Sequence, residues 1–115
     1  MKQFAKIIFA FVLVFVLCSS AFAALPSITM LSTKTCPACE QMMKVLNELK
    51  SKYSSSVSSS HIYLEDNPDV AKKYNVRYVP MLIFRDAKGN EIAREIGYKS
   101  LKEVLEVFRK AGIKI

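Results

Sequence analysis

One segment in the second half of the chain alternates apolar and polar positions with the two-residue period of a β-strand. Residues 91–96 (EIAREI) show this alternation, and the turn-forming residues 86–90 predict a hairpin that joins them to the apolar run 81–84. A third strand is expected at 27–31. The serine-rich segment 51–60 is expected to be a loop that runs into a fourth strand, which residues 61–64 continue. The pattern predicts four short strands.

Helical spacing of apolar residues predicts the intervening elements. A long helix is expected over 37–52 with Pro37 at its first position, and one or two helical turns over 69–74. A closing amphipathic helix follows Ser100, which is a suitable N-cap. Its apolar positions are Leu101, Val104, Leu105 and Phe108.

The order β-α-β-(α)-β-β-α predicts an α/β fold. The first β-α-β should form a right-handed parallel unit, and the last two strands should pair as an antiparallel hairpin. We therefore expect a mixed four-stranded sheet flanked by helices.

The N-terminal segment has the three parts of a secretory signal peptide: a basic start, the apolar run 7–17 and the small-residue site Ala21-x-Ala23. We expect the chain to divide into a signal peptide, 1–23, and one domain, 24–115. The mature protein is then exported to the periplasm or another extracytoplasmic compartment.

Two other interpretations of this segment compete with a cleaved signal peptide. The apolar run is short for a membrane span, which needs roughly 20 residues, but an uncleaved anchor stays open. A lipoprotein is disfavoured because Leu17 precedes Cys18, where a lipobox has a small residue.

Composition and charge serve here only to exclude classes of function. The chain has 115 residues and a net charge of +7, which falls to +5 when Lys2 and Lys6 leave with the signal peptide. The basic residues are spread without a block of five like charges, so no nucleic-acid-binding role is expected. We expect a monomer.

The candidate chemistry is the motif Cys36-Pro37-Ala38-Cys39, which follows the first strand and opens the long helix. Unpaired N–H groups and the helix dipole stabilise an anion at that position, so the Cys36 thiolate is favoured and Cys36 is the predicted attacking sulfur. Cys39 follows three residues later, where the two sulfurs can meet. Lys34 lies close enough in sequence to help, or points to solvent.

Three interpretations of the cysteine pair remain. A purely structural disulfide would close a small loop and stabilise little. A copper- or metal-carrying CxxC module is the sharper alternative, but a second CxxC is lacking and His61 is the single histidine, so tetrahedral zinc lacks ligands within one chain. A redox-active dithiol is favoured.

Four segments of the mature chain resemble the thioredoxin superfamily. They are 35–40 with the CPAC motif, 64–68 (LEDNP), 74–80 (YNVRYVP) and the hairpin that ends at Ile96-Gly97. A Val-Pro pair that places proline 41 residues after the second cysteine makes the match more specific than CxxC alone.

The resemblance implies a minimal thioredoxin-like fold and thiol–disulfide exchange. It also implies that Pro80 follows a cis peptide bond and faces the dithiol, while the Val79 backbone pairs with an extended substrate. Pro37 and Ala38 would lie at the substrate-binding surface. The dithiol would be the only cofactor, and the partners would be protein disulfides or dithiols and a membrane or periplasmic redox partner.

The chain departs from thioredoxin itself in four ways. Thr35 stands where Trp precedes the motif, Pro-Ala replaces Gly-Pro as in glutaredoxin-like branches, and the leading strand and helix are missing. Met30 replaces the buried Asp of the strand before the motif. These departures leave the direction of electron flow open.

His61 follows Cys39 by 22 residues, where thioredoxins carry a lysine near the dithiol. An imidazole titrates near neutrality and could relay the proton that Cys39 must lose. The alternative is a half-exposed strand histidine without a role. We therefore predict an exported thiol–disulfide oxidoreductase that uses Cys36 and Cys39, with His61 as a candidate proton relay and a metal-carrying module as the alternative.

Overall fold

The computed structural model describes residues 24–115. The predicted signal peptide, with Cys18, lies outside the described residues, so the boundary between 23 and 24 stays a prediction. Within 24–115, no helix is long and apolar enough to cross a membrane.

Seven elements follow one another in the predicted order. They are β1 (Ser27–Ser32), α1 (Pro37–Tyr53), β2 (Ser58–Tyr63), α2 (Pro68–Lys73), β3 (Met81–Arg85), β4 (Glu91–Ile96) and α3 (Leu101–Lys110). β2 begins at Ser58, within the serine-rich segment that was expected to run into this strand, and it ends at Tyr63, one residue before the predicted end. Its serines pair with β1 from Ser27 onward, because backbone hydrogen bonds to a neighbouring strand do not require apolar side chains.

The strands form one mixed sheet in the order β2-β1-β3-β4. β1 pairs with β2 in parallel and with β3 antiparallel, and β3 pairs antiparallel with β4. The predicted α/β fold with a mixed four-stranded sheet is confirmed.

Apolar side chains bury both faces of the sheet. Ile28 and Phe84 belong to the larger cluster, which also contains the buried residues of α3 and those of α1 except Cys39. Phe84 meets Phe108 edge-on at 5.2 Å between ring centroids. A smaller cluster of Leu31, Met81 and Ile83 includes partly buried residues on or near α2. Since β3 is covered on both faces, its residues 81–84 form a continuous apolar run in the sequence.

Strand directions bring the motif segments to one edge of the sheet. Leu31 near the end of β1 pairs with Met81 at the start of β3, and Met81 pairs with Ile96 at the end of β4. The loop with Cys36 leaves β1 at this edge, and Pro80 enters β3 there.

Candidate active site

Cys36 is the N-cap of α1. Its backbone is extended, with φ −133° and ψ 103°, and its carbonyl accepts a hydrogen bond from the Glu40 N–H at 3.1 Å. Pro37 occupies the first helical turn, where a missing N–H costs no intrahelical hydrogen bond. The prediction that Cys36 lies at the helix N-terminus is confirmed.

Cys36 and Cys39 form a disulfide, with 5.2 Å between their Cα atoms. The two sulfurs differ in environment, since the Cys39 residue is 4% exposed while Cys36 is half-buried. The Cys39 N–H also donates a hydrogen bond to Cys36 Sγ at 3.1 Å. The more accessible sulfur is therefore the one that the helix N-terminus would stabilise as a thiolate.

Pro80 is buried at the entrance to β3, and the Val79–Pro80 peptide bond is cis. The Pro80 carbonyl accepts a hydrogen bond from the Gly97 N–H at 2.8 Å, which ties this loop to the end of β4. Gly97 has φ +92°, a left-handed conformation that favours glycine.

Three large apolar side chains are exposed in the two segments next to Pro80. Tyr78, Ile96 and Tyr98 are 68%, 52% and 50% exposed, respectively. Ile96 lies two residues before Tyr98 in the chain. We call the two tyrosines the aromatic rim. Sequence analysis did not single them out, although their position beside the Val-Pro pair and Gly97 was available as a signal.

A cavity of about 270 Å³ lies on the side of Cys39 that faces the sheet. Its lining includes Met30, Ser32, Cys39, Met43 and His61. The structure thus places the predicted relay residue at the same cavity as the enclosed sulfur, and it places Met30 there without a carboxylate.

His61 is held by a residue that sequence analysis missed. Its Nε2 lies 2.5 Å from the Ser32 hydroxyl, and Ser32 has no exposed surface. The Tyr63 ring packs edge-on against the imidazole at 4.2 Å between centroids. Partial burial lowers the pKa of His61 below its usual value of 6.5.

The Lys34 side chain is exposed and pairs with an acidic residue. Its ammonium donates a hydrogen bond to Asp66 at 3.0 Å, and its backbone N–H donates to the Glu65 carboxylate at 2.7 Å. The hydrogen bond and charge of Asp66 raise the pKa of Lys34. Of the two orientations open from the sequence, the structure shows the exposed one.

The described part of the chain contains no group of three or more His, Cys, Asp and Glu side chains arranged to hold a metal ion. Cys36 and Cys39 therefore have no third donor of these types grouped with them among residues 24–115.

Comparison with known proteins decides the family. A family model of a thioredoxin-like domain matches residues 23–112. The chain belongs to this family. The resemblance found in the sequence is thereby confirmed.

Thioredoxins of Staphylococcus aureus are similar to this thioredoxin-like chain. Those of strains Mu50 / ATCC 700699 and USA300 are each 30% identical to it over 76 residues, which is 65% of this chain and 71% of theirs.

Solved structures show the same fold. A thioredoxin-like protein from Clostridium perfringens has a TM-score of 0.68 at 28% identity, covering 84% of this chain and 79% of its own. Thioredoxin-2, described as a component of malaria parasite protein secretion machinery, has a TM-score of 0.69 at 20% identity, covering 75% and 82%. The second likeness concerns the fold alone.

Proposed function

We propose that the protein is an exported thiol–disulfide oxidoreductase in which Cys36 is the attacking sulfur and Cys39 the resolving one. The family and the Cys36–Cys39 pair support thiol–disulfide exchange in general. The observation that carries the assignment of roles is the position of Cys36 as the N-cap of α1, with Cys39 enclosed behind it.

The reaction needs no redox group besides this dithiol. In the reducing direction, the Cys36 thiolate attacks one sulfur of a substrate disulfide, and the other substrate sulfur leaves as a thiolate. The Cys39 thiolate then attacks Cys36 Sγ and expels the second substrate thiolate. Two electrons pass to the substrate, and the protein is left as the Cys36–Cys39 disulfide. The reverse sequence oxidises a substrate dithiol.

The substrates in this proposal are extended protein segments that carry a disulfide or dithiol. A segment that lies along the Val79 backbone would enter where Pro80 contributes no N–H, and its flanking side chains would meet the aromatic rim. Pro37 and Ala38 are exposed at the start of α1 and would contact the same segment. Tyrosine rings combine a large apolar area with few rotatable bonds, which suits them to such contacts.

Export and partners complete the proposal. The N-terminal pattern supports secretion. After each round of exchange, another redox protein would return the exported cysteine pair to its starting redox state, and we place this partner at the membrane or in the periplasm. The domain would work as a monomer. Mass spectrometry of the protein from fractionated cells tests export: a mature chain that begins at Ala24 in the extracytoplasmic fraction is expected. A full-length chain in the cytoplasm would reject it.

Equilibration with glutathione buffers tests the exchange activity. The fraction of Cys36–Cys39 disulfide is measured by alkylation and mass spectrometry. Because two molecules of glutathione reduce one protein disulfide, this fraction should follow the squared concentration of reduced glutathione divided by the concentration of oxidised glutathione, with a single two-electron midpoint. The midpoint fixes whether the protein is a stronger reductant or a stronger oxidant than glutathione. Variants Cys36→Ser and Cys39→Ser serve as controls without the intramolecular disulfide. A dithiol that does not exchange with glutathione would reject the proposed function.

A further inference from the structure

Two polar side chains meet on the sheet face that carries α1. Met30 of β1 pairs with His61 of β2, and Ser32 is the next residue of β1 on the same face. The Ser32 hydroxyl is thus in position to bond His61 Nε2. Ser60, the neighbour of His61 on β2, instead bonds Thr29 at 2.9 Å on the opposite face.

Both members of this Ser32–His61 pair line the cavity that reaches Cys39. Met30 and Met43 supply apolar parts of its wall. At about 270 Å³ the cavity can hold water, since a single water needs on the order of 15 Å³ and polar partners. A proton can therefore travel between Cys39 and the imidazole through solvent inside the cavity.

The charged and titratable groups around His61 come from three elements. Lys34 follows β1 and is paired with Asp66, Glu40 is exposed on α1, and Tyr63 packs against the ring from β2. Lys50 of α1 lines a smaller cavity on which His61 also lies. Partial burial lowers the pKa of His61, which disfavours a resting imidazolium.

Resolution requires a base at this place. Cys39 must lose its proton before it attacks, and burial disfavours the thiolate. Met30 offers no acceptor. A neutral imidazole at the same cavity does.

We propose that His61, positioned by Ser32, accepts the proton of Cys39 during the resolving step. This inference rests on the proposed exchange function. The Cys39 proton passes to the free nitrogen of the imidazole, directly or through water, and the Cys39 thiolate attacks Cys36 Sγ. The imidazolium formed has two N–H groups, and its Nε2–H donates to the Ser32 oxygen, which keeps the ring in place. The proton returns to solvent or to the departing substrate thiolate.

Stopped-flow reaction of the reduced protein with an equimolar chromogenic disulfide, dithiobis(nitrobenzoate), separates the two steps. Attack by Cys36 releases one nitrobenzoate thiolate at a rate that depends on concentration. Attack by Cys39 on the mixed disulfide releases the second at a rate that does not. Rates are measured from about pH 5.5 to about 8.5, which brackets the ordinary pKa values of imidazole and thiol groups.

The expected change is confined to the second step. His61→Gln should slow it by roughly a hundredfold near neutral pH, the lower end of the range for general base catalysis, and should make it rise steeply with pH. Ser32→Ala should give a smaller loss with a shifted pH profile, and Ser32→Thr, which keeps the hydroxyl, should recover the wild-type profile. Ser60→Ala, on the opposite face, is the matched control.

The outcomes distinguish this inference from the function on which it rests. A second step in His61→Gln with the rate and pH profile of wild type would overturn the proton transfer while leaving disulfide exchange intact. A wild-type profile in Ser32→Ala alone would remove Ser32 from its positioning role. Failure of wild type to release either thiolate would instead reject the exchange function.

Proton NMR gives a readout that does not depend on turnover. Because His61 is the only histidine, its ring signals titrate without overlap from other imidazoles. The titration midpoint should differ between the dithiol and disulfide forms, since the Cys39 thiol is present only in the first. Identical midpoints in the two forms would contradict a shared proton.

Discussion

The backbone N–H of Cys39 donates a hydrogen bond to Cys36 Sγ at 3.1 Å, so the two sulfurs of the pair have different electrostatic environments. Cys36 is the N-cap of α1 and its sulfur accepts one N–H there, whereas Cys39 lies within that helix and is buried. A hydrogen bond that stabilises the charged form of a thiol lowers its pKa. The asymmetry between nucleophile and resolving sulfur follows from these positions.

The first prediction concerns alkylation of the reduced protein. Iodoacetamide at neutral pH should modify Cys36 at least about tenfold faster than Cys39, because exposure and the helix N-terminus both favour the Cys36 thiolate. Fragmentation mass spectrometry of the peptide that contains both residues locates the label. Preferential modification of Cys39 would reverse the assigned roles.

The second prediction is that Cys39→Ser accumulates mixed disulfides with substrate proteins. Its Cys36 still attacks, but no second sulfur is present to release the substrate. Non-reducing gels followed by reduction measure the trapped complexes. Cys36→Ser is the matched control and should trap few. Equal trapping by both variants would contradict the order of attack.

The third prediction concerns the aromatic rim. Replacing both Tyr78 and Tyr98 with Ala should lower kcat/KM for a protein disulfide by roughly tenfold, chiefly through KM, since interface tyrosines contribute about 1 to 2 kcal/mol. The rate with a small disulfide should not change. Leu25→Ala removes an exposed apolar side chain from another segment and serves as the control. An unchanged kcat/KM in the double variant would place the docking surface elsewhere.

The fourth prediction is a pH dependence of stability that His61 causes. Because partial burial lowers the pKa of His61 in the folded state, the unfolded chain binds more protons below about pH 6.5. The free energy of unfolding of the disulfide form should therefore decrease as pH falls from about 7.5 to about 5.5. His61→Gln should flatten this slope in urea titrations.

Two carboxylates also contribute to the pH dependence of stability. The pKa values of Glu91 and Glu103 are lowered by hydrogen bonds from Arg94 and Ser100, so their effects fall at more acidic pH. An equal slope in both proteins would assign the dependence to other groups.

The fifth prediction concerns the start of α3. The Ser100 side chain accepts from the Glu103 N–H at 3.2 Å, while the Glu103 carboxylate accepts from the Ser100 N–H at 3.2 Å. Ser100→Ala should lower the free energy of unfolding by about 1 kcal/mol, as loss of an N-cap does. Thermal or urea unfolding measures the change. Ser55→Ala, in the turn after α1, should have a smaller effect, and a larger one would argue against the cap.

Much of the fold was predictable because its elements are local. The alternation of 91–96, the helical spacing after Pro37 and the N-cap at Ser100 depend on neighbours within one or two turns, and the structure confirms each. The residue at which β2 begins, within the serine-rich segment, was not predicted. Ser58 to Ser60 carry no apolar signal, and they become a strand because β1 offers backbone partners.

The placement of Cys36 at the N-terminus of α1 was likewise determined by the sequence, since the CxxC motif opens the helix only a few residues after the strand. The Ser32–His61 pair was decided only by the tertiary structure. Ser32 and His61 are separated by a whole helix, and a shift of one residue in the parallel register of β1 and β2 would turn His61 to the other face. That register is set by the packing of α1 and the sheet around a common core, so the cavity that joins His61 to Cys39 exists only once the whole domain has folded.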